Sequence, residues 1–225
     1  MNQPICLFTP VHKGLRHALS RLSFQAGSLD MENDADVQAF EAEWKKVYAL
    51  LEFHAENEDA FVQPFIDQLD STVAGKLEKE HQASEDLLID LNNRLTKLVS
   101  MDAAERKIHT FSFIQSLNQF LALYWNHMET EEKELMDTLR KLSGTEQLMD
   151  ISLSMHKAVP PDVMLDFLFY MLPAMNMQER TQLLTGMKRS APEAFFQKVI
   201  SVAEQVLEKH DFTSLQTRLE NVEIA

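Results

Sequence analysis

The sequence predicts an all-α protein, an antiparallel up-down-up-down four-helix bundle followed by short C-terminal helices. Two observations support this fold class. Long stretches repeat apolar residues every three or four positions, which places them on one face of a helix. Only 5 glycines and 7 prolines interrupt the 225 residues, and most lie between the periodic stretches. We therefore expect a bundle over residues 1–144 and a helical extension over residues 145–225.

The first two helices are predicted from their capping and breaking residues. Thr9 and Pro10 should form an N-cap and first helical position, and the helix that follows should end near Gly27. After the polar loop SLDMENDAD, a second helix should run over about residues 36–69. Pro64 should kink this helix or end it early, because proline lacks the N–H that a helix interior uses.

The third and fourth helices have their own capping residues. Ser71 or Thr72 can cap the third helix, and Asp102 in SMDAA can cap the fourth. The fourth should continue to about Leu142, and Gly144 should close it. Four amphipathic helices joined by short loops are typical of an up-down bundle.

The extension from about residue 145 is punctuated by prolines and rich in methionine. We expect four or five short helices there. Its methionines are better explained as flexible core filler than as metal ligands, because the thioether side chain adapts to irregular gaps. They are Met155, Met164, Met171, Met175, Met177 and Met187.

Composition excludes several classes of partner. The net charge of -14 disfavours binding to nucleic acid or to anionic membranes. Cys6 is the single cysteine, as expected in a reducing compartment. The start, MNQPICLFTP, lacks the pattern of a signal peptide, and no stretch approaches the roughly 20 apolar residues of a membrane span. We therefore expect a cytoplasmic protein.

Polar residues interrupt the apolar faces of three predicted helices. Each interruption is a histidine followed four residues later by a glutamate, and four residues advance about 400°, so the two share a face. One such pair alone is usually solvated or is an ordinary hydrogen-bonded pair. Three of them on core faces need compensation, because a buried unpaired carboxylate costs several kcal/mol or more. The pairs are His54 with Glu58, His81 with Glu85, and His127 with Glu131.

The spacing of four histidines predicts one inward-facing layer. In an antiparallel hairpin, residues equidistant from the turn lie at the same height. The midpoint of His12 and His54 is residue 33, that of His54 and His81 lies between residues 67 and 68, and that of His81 and His127 is residue 104. All three fall at or beside predicted turns. The remaining histidines fail this test and should lie on the surface or beside the site; they are His17, His109, His156 and His210.

Four imidazoles and three carboxylates in one layer predict a two-metal site. About four ligands satisfy one zinc ion, so seven imply a second ion. Nitrogen and oxygen donors without thiolate suit iron or manganese, with zinc as a competitor. Bundles hold dimetal centres with carboxylates from facing helices.

The four motifs resemble the hemerythrin-like, HHE cation-binding family over about residues 10–142. They are a histidine after TPV, then HAENEDAF, EHQASEDLL and HMETEEKEL, in that order. The resemblance implies a non-haem, carboxylate-bridged di-iron site with a bridging oxo or hydroxo group. Carried over by position, the terminal ligands would be His12, His54, His81 and His127, and the bridging ligands Glu58 and Glu131.

Glu85 departs from the family pattern. It stands where the oxygen-carrying members have a fifth histidine. As a terminal ligand it would leave one coordination position open, but its charge would favour ferric iron and disfavour reversible O2 carriage. If Glu85 faces solvent instead, the site would be weaker or hold one metal.

The leading functional hypothesis is a di-iron protein that handles or senses O2, NO, peroxide or iron. The alternative is an interaction module whose metal is structural or absent, docking a protein partner or a second copy through the methionine-rich C-terminal helices. A dimetal hydrolase is disfavoured, because the sequence has no nucleophile elbow, phosphate loop or H-E-x-x-H helix. An oxidase activity at the di-iron centre stays open, so the sequence does not decide whether the protein is an enzyme.

Overall fold

The computed structural model describes residues 6–221, and the residues it describes are helical with no strand. This confirms the predicted fold class. Eleven α-helices follow one another in this part of the chain: α1 Thr9–Ser28, α2 Asp34–Phe61, α3 Gln63–Leu69, α4 Ser71–Ser100, α5 Ala103–Thr130, α6 Met136–Leu142, α7 Thr145–Ala158, α8 Pro161–Ala174, α9 Met177–Ser190, α10 Glu193–Val206 and α11 Lys209–Asn221. A π-helical turn, Glu131–Leu135, joins α5 to α6.

The described residues form two compact units. The first contains residues 18–158, together with the residues described before Pro10, and the second contains residues 10–17 and the chain from Val159 onward. Helix α1 therefore contributes its first turns to the second unit and the rest to the first. The expected domain boundary at residue 144 stays a prediction, although α7 packs against α2 inside the first unit.

The first unit carries the long helices α2, α4 and α5. Helix α4 packs against both α2 and α5. At one end, a cluster of buried apolar side chains joins the chain before α1 to α3, α4, α6 and α7. Phe8, Ile66 and Met136 are completely buried in it. This cluster packs around the first turns of α4 and the π-helical turn that follows α5.

The second unit has a core of its own. Leu168, Leu184, Val199 and Leu215 are completely buried there. Its α9 begins with a capping box, in which Asn176 and Glu179 exchange side-chain and backbone hydrogen bonds.

The five helices α7–α11 confirm the expected four or five in the tail, and the six methionines are buried or half-buried, as predicted for core filler.

Several helix ends differ from the sequence prediction. Helix α1 begins at Thr9 itself, so Phe8 and not Thr9 is the N-cap. Helix α4 is capped by Asp70, which accepts hydrogen bonds from the backbone N–H groups of Thr72 and Val73. An aspartate carboxylate one residue earlier thus replaces the predicted Ser71 or Thr72 as the cap.

The second and fourth predicted helices are both interrupted. The second ends at Phe61, and α3 starts with Pro64 in its first turn, where a missing N–H costs nothing. Asp102 caps α5 as predicted, by accepting from the N–H of Glu105. The fourth helix changes to a π turn at Glu131. Its last part, α6, ends at Leu142 as predicted, but the C-cap is the extended residue Ser143 and not Gly144.

The described part of the chain contains no helix that is both long enough and apolar enough to cross a membrane.

Candidate metal centre

Helix α2 places His54 and Glu58 on its buried face. They continue the apolar series of Val47 and Leu51 at steps of three and four residues. His54 is 4% exposed and Glu58 is 2% exposed. The Nε2 atom of His54 lies 3.3 Å from Oε1 of Glu58. The two residues therefore point inward together, as predicted.

Helix α4 brings His81 to the same position. Its Nε2 atom lies 3.6 Å from Oε2 of Glu58 and 3.4 Å from Oε1 of Glu131. Leu77, one turn earlier on the same face, is buried in the apolar cluster at the end of the unit. The imidazole of His81 thus lies between a carboxylate of α2 and a carboxylate of the π-helical turn.

Helix α5 and the π-helical turn supply the remaining pair. The Nε2 atom of His127 lies 3.3 Å from Oε1 of Glu131, and both side chains are buried. The rings of His81 and His127 meet edge to face with centroids 4.8 Å apart. The π-helical turn begins at Glu131, and such turns occur often at functional sites.

Four of the predicted ligands form one compact group. Glu58, His81, His127 and Glu131 each offer a ligand atom, and these atoms lie within 4.8 Å of one another. His54, Glu58 and Glu131 also meet this criterion among themselves. The two glutamates are therefore common to both groups, as two bridging carboxylates would be.

A second pair of carboxylates lies behind the histidines. Asp59 on α2 accepts a hydrogen bond from Nδ1 of His81 at 2.9 Å, and Glu80 on α4 lies 3.4 Å from Nδ1 of His127. With Nδ1–H committed outward, each imidazole points its Nε2 atom inward, which is how carboxylates orient metal-binding histidines. The sequence prediction missed both residues, although each is the chain neighbour of a predicted ligand.

The two carboxylates of the group set the charge of the histidines. Burial alone lowers the pKa of His81, but the hydrogen bond to Glu131, the charges of Glu58 and Glu131 and the bond to Asp59 outweigh it and raise the pKa to about 9. Burial lowers the pKa of His127, and the neighbouring His81 cation adds to this effect. One proton is thus held on the histidine pair, because two cationic rings at this separation would repel.

Tyr124 packs against the centre from α5. Its ring lies 5.8 Å from that of His127. Burial raises the pKa of Tyr124 well above its ordinary value, and the charges of Glu58 and Glu131 raise it further. Tyr124 therefore stays a neutral phenol beside the two carboxylates.

The other predicted ligands have different surroundings. His12 is completely buried on α1, in the segment 10–17 that belongs to the second unit. Its part in the centre stays a prediction. Glu85 is half-buried and does not join the ligand groups. It lines a cavity beside them, so its predicted role as a ligand is also still a prediction.

The remaining histidines have other surroundings. The Nδ1 atom of His17 is hydrogen-bonded to the carbonyl oxygen of Tyr170 at 3.0 Å within the second unit. The other three are exposed; they are His109, His156 and His210. The three exposed histidines therefore have the surface positions that the spacing of the sequence predicts, and the placement of His17 beside the site stays a prediction.

The donor set fits a cation. Both oxygens of Glu58 and Oε2 of Glu131 are completely buried, and a buried carboxylate needs a compensating positive charge. The nitrogen–oxygen separations of 3.3–3.6 Å within the group are close to those of two ligands held at about 2.1 Å on adjacent positions of one ion. Fold and site together define a helical-bundle protein that binds a metal cation.

Comparison with known families agrees with this class. The family model described as hemerythrin HHE cation binding domain matches residues 4–139, which is more than half of the chain. The protein belongs to this family. Neither the search of curated proteins nor the search of solved structures gave a match.

Proposed function

We propose that the protein holds a non-haem di-iron centre and uses it to handle or sense O2, NO, peroxide or iron. The observation that carries this proposal is the buried group of Glu58, His81, His127 and Glu131. Because both glutamates also approach His54, the donor set suits two ions bridged by two carboxylates.

Each side chain has a role in this proposal. His81 and His127 would hold one ion through Nε2, and His54 would hold the other. Glu58 and Glu131 would be shared between the two ions. His12 is the further ligand that the sequence predicts. Iron is preferred to manganese on the family resemblance, and zinc competes for the same nitrogen and oxygen donors.

Three residues around the ligands support metal binding. Asp59 and Glu80 hold the Nδ1–H groups of His81 and His127, so the rings cannot turn away. Tyr124 keeps its proton and presents a neutral phenol to the anionic pair. When bound, an iron pair supplies one-electron redox chemistry and an exchangeable coordination position for a diatomic molecule or peroxide.

The test is metal content per chain. Tag-free protein, loaded with ferrous iron without oxygen and then desalted, should contain about two irons by mass spectrometry. Replacing both His54 and Glu58 with alanine should lower this number. His156→Ala is the matched control, because His156 is exposed on α7 and should leave the iron content unchanged.

Two results would overturn the proposal. One is a single zinc, or no metal, after anaerobic loading. The other is an unchanged iron content in the double variant. Either would favour the interaction module, for which the half-exposed Met149 and Leu153 on α7 are the side chains to examine.

A further inference from the structure

A cavity of about 250 Å³ lies between α2 and α4 and reaches the candidate centre. Its inner wall includes the buried ligand residues Glu58, His81 and His127. Its outer wall includes Glu52, Glu56 and the half-exposed Ile89. The cavity thus connects buried ligand atoms with exposed side chains in a single lined space.

The charge of this cavity is one-sided. Its walls contain four glutamates, the three partly or fully exposed ones being Glu52, Glu56 and Glu85, and no lysine or arginine lines it in the described part of the chain. Glu52 and Glu56 share a face of α2, one turn apart. A cleft lined by one sign of charge raises the local concentration of ions of the opposite sign.

The other opening near the centre has a different character. A groove of about 680 Å³ between α4 and α5 reaches only His127 among the ligand group, and Glu80 lies across that approach. Lys76 and Lys79 line this groove beside two glutamates, so its charges balance. A cation gains little by entering there.

The size of the α2–α4 cavity also suits an ion with its water. A water molecule occupies about 30 Å³ in the liquid, so this volume has room for roughly eight. A divalent cation with a shell of about six waters fits within it. From Glu52 to Glu58, the rise along α2 is about 9 Å, so an ion could exchange water for carboxylate oxygens in one or two steps.

Tyr48 adds an ordering contact at the outer wall. It donates a hydrogen bond to Glu52 one turn further along α2. Burial, this hydrogen bond and the negative charge of Glu52 together raise the pKa of Tyr48 to about 12. The phenol therefore stays a donor and holds the Glu52 carboxylate at the cavity wall.

We propose that the α2–α4 cavity is the entrance through which a divalent cation reaches the centre, and that Glu52 and Glu56 attract the ion there without being its final ligands. The inference rests on the proposed metal site. It adds to that site a route and two residues that act on the rate of loading and not on the amount bound.

The experiment measures the rate of ferrous iron uptake by metal-free full-length protein without oxygen. Aliquots are stopped with a chelator at short times, and iron per chain is counted. The double variant Glu52→Gln, Glu56→Gln should load about five- to tenfold more slowly at low salt, because steering depends on local charge. Its final iron content should equal that of the wild type.

A matched variant separates local from total charge. Glu78→Gln with Asp86→Asn removes the same two charges from α4; Glu78 lines the other groove, and both side chains are exposed. It should load at the wild-type rate. At 1 M salt, where the Debye length falls to about 3 Å, the difference between the variants should nearly vanish.

Each result decides a different point. Equal rates for the wild type and the Glu52/Glu56 variant would overturn the entrance. So would a lower final iron content, because the two residues would then be ligands, or equal slowing in the control, because only total charge would matter. A wild type that binds no iron would overturn the metal site itself, which the equilibrium content shows separately.

Discussion

At the scale of single residues, the candidate centre depends on carboxylates outside the ligand group. Asp59 is bonded to His81 and Glu80 to His127, each across a helix–helix contact. The bond fixes which ring nitrogen carries the proton and how the ring is oriented. The ligand geometry therefore depends on the packing of α2, α4 and α5 as well as on the ligands themselves.

Asp59→Asn tests this outer support. The amide can still accept from Nδ1 of His81 but brings no charge, so the imidazole becomes a weaker donor to the metal. We expect iron affinity to fall about 10- to 100-fold, with the iron content at saturation unchanged. Competition with a chelator of known affinity measures the change.

Asp67→Asn is the control for that variant. Asp67 is an exposed carboxylate on α3, with a hydrogen bond to Gln63, and the same charge is lost. Its affinity should match that of the wild type. Equal affinity for both variants would show that the Asp59 contact does not orient His81.

The residue scale also shows what the sequence can predict. The sequence predicts five of the candidate ligands because each continues the apolar face of its own helix. They are His54, Glu58, His81, His127 and Glu131. Asp59 and Glu80 were missed because they point about 100° away from those faces. Their partners lie on neighbouring helices, and no pattern within one helix encodes which neighbour is reached.

At the scale of elements, the π-helical turn keeps candidate metal ligands and core leucines on the same buried face of the chain. His127, Glu131, Leu135 and Leu139 are spaced four apart and all are buried. In a regular α-helix, with about 100° per residue, Leu139 would lie about 120° away from His127. The π turn takes one more residue per turn and absorbs this drift.

The sequence therefore contains a signal for the π turn. A strict spacing of four over three steps exceeds the period of an α-helix and indicates a wider turn. Pro64 predicts a break near the start of α3, whereas the sequence favours Ser71 or Thr72 over Asp70 as the cap of α4. Caps one residue apart offer equivalent oxygens, so the tertiary position of the chain decides between them.

Changing the length of the π turn tests this account. Deleting Lys133, which is exposed, should give a regular α-helix that still buries Leu135, Met136 and Leu139, at a cost within about 1 kcal/mol. Inserting one alanine after Lys133 should rotate α6 by about 100° and expose those side chains. Each buried side chain of this size contributes about 1.5–3 kcal/mol, so the insertion should cost more than about 3 kcal/mol.

Urea unfolding of the two variants, read by circular dichroism, gives both numbers. The variants are each other's control, because both change the chain by one residue at the same place. A deletion as costly as the insertion would show that the π turn does not absorb the drift along this face.

At the scale of the whole molecule, metal binding should couple to folding. The ligands come from three helices and a turn, so the unfolded chain does not assemble them. A ligand that binds only the folded state at 100 times its Kd adds about 2.7 kcal/mol. For a protein of this size, that should raise Tm by roughly 5–10 °C.

Thermal melting with and without iron measures this effect. Glu58→Gln removes the charge of a carboxylate common to both ligand groups, and its Tm should respond far less to iron. An equal rise of Tm in that variant would mean that iron stabilises the protein at another place.

Helix α1 is the element that both compact units contain. In the second unit, Gly14 allows a close approach to α8, because a Cβ at this position would lie 2.6 Å from Cγ and 3.2 Å from Cα of Met171. Lys13 also forms an ion pair with Glu179, with 2.5 Å between Nζ and Oε1. These contacts hold the turn of α1 that carries His12, the predicted ligand on this segment.

Gly14→Leu in the full chain should separate this turn from α8. Leucine favours a helix over glycine by up to about 1 kcal/mol, but the contact with the Met171 backbone cannot yield, and overpacking typically costs about 1–3 kcal/mol. Gly27→Leu gives the same helix propensity on the same helix with nothing within 4 Å, so it isolates the contact. We expect faster amide exchange in residues 10–17 and in α8 for Gly14→Leu alone, measured by mass spectrometry.

If His12 is a ligand, the iron content of that variant should also fall below that of Gly27→Leu. Faster exchange with a full iron content would instead remove His12 from the proposed ligand set, while the first unit's ligands would stand.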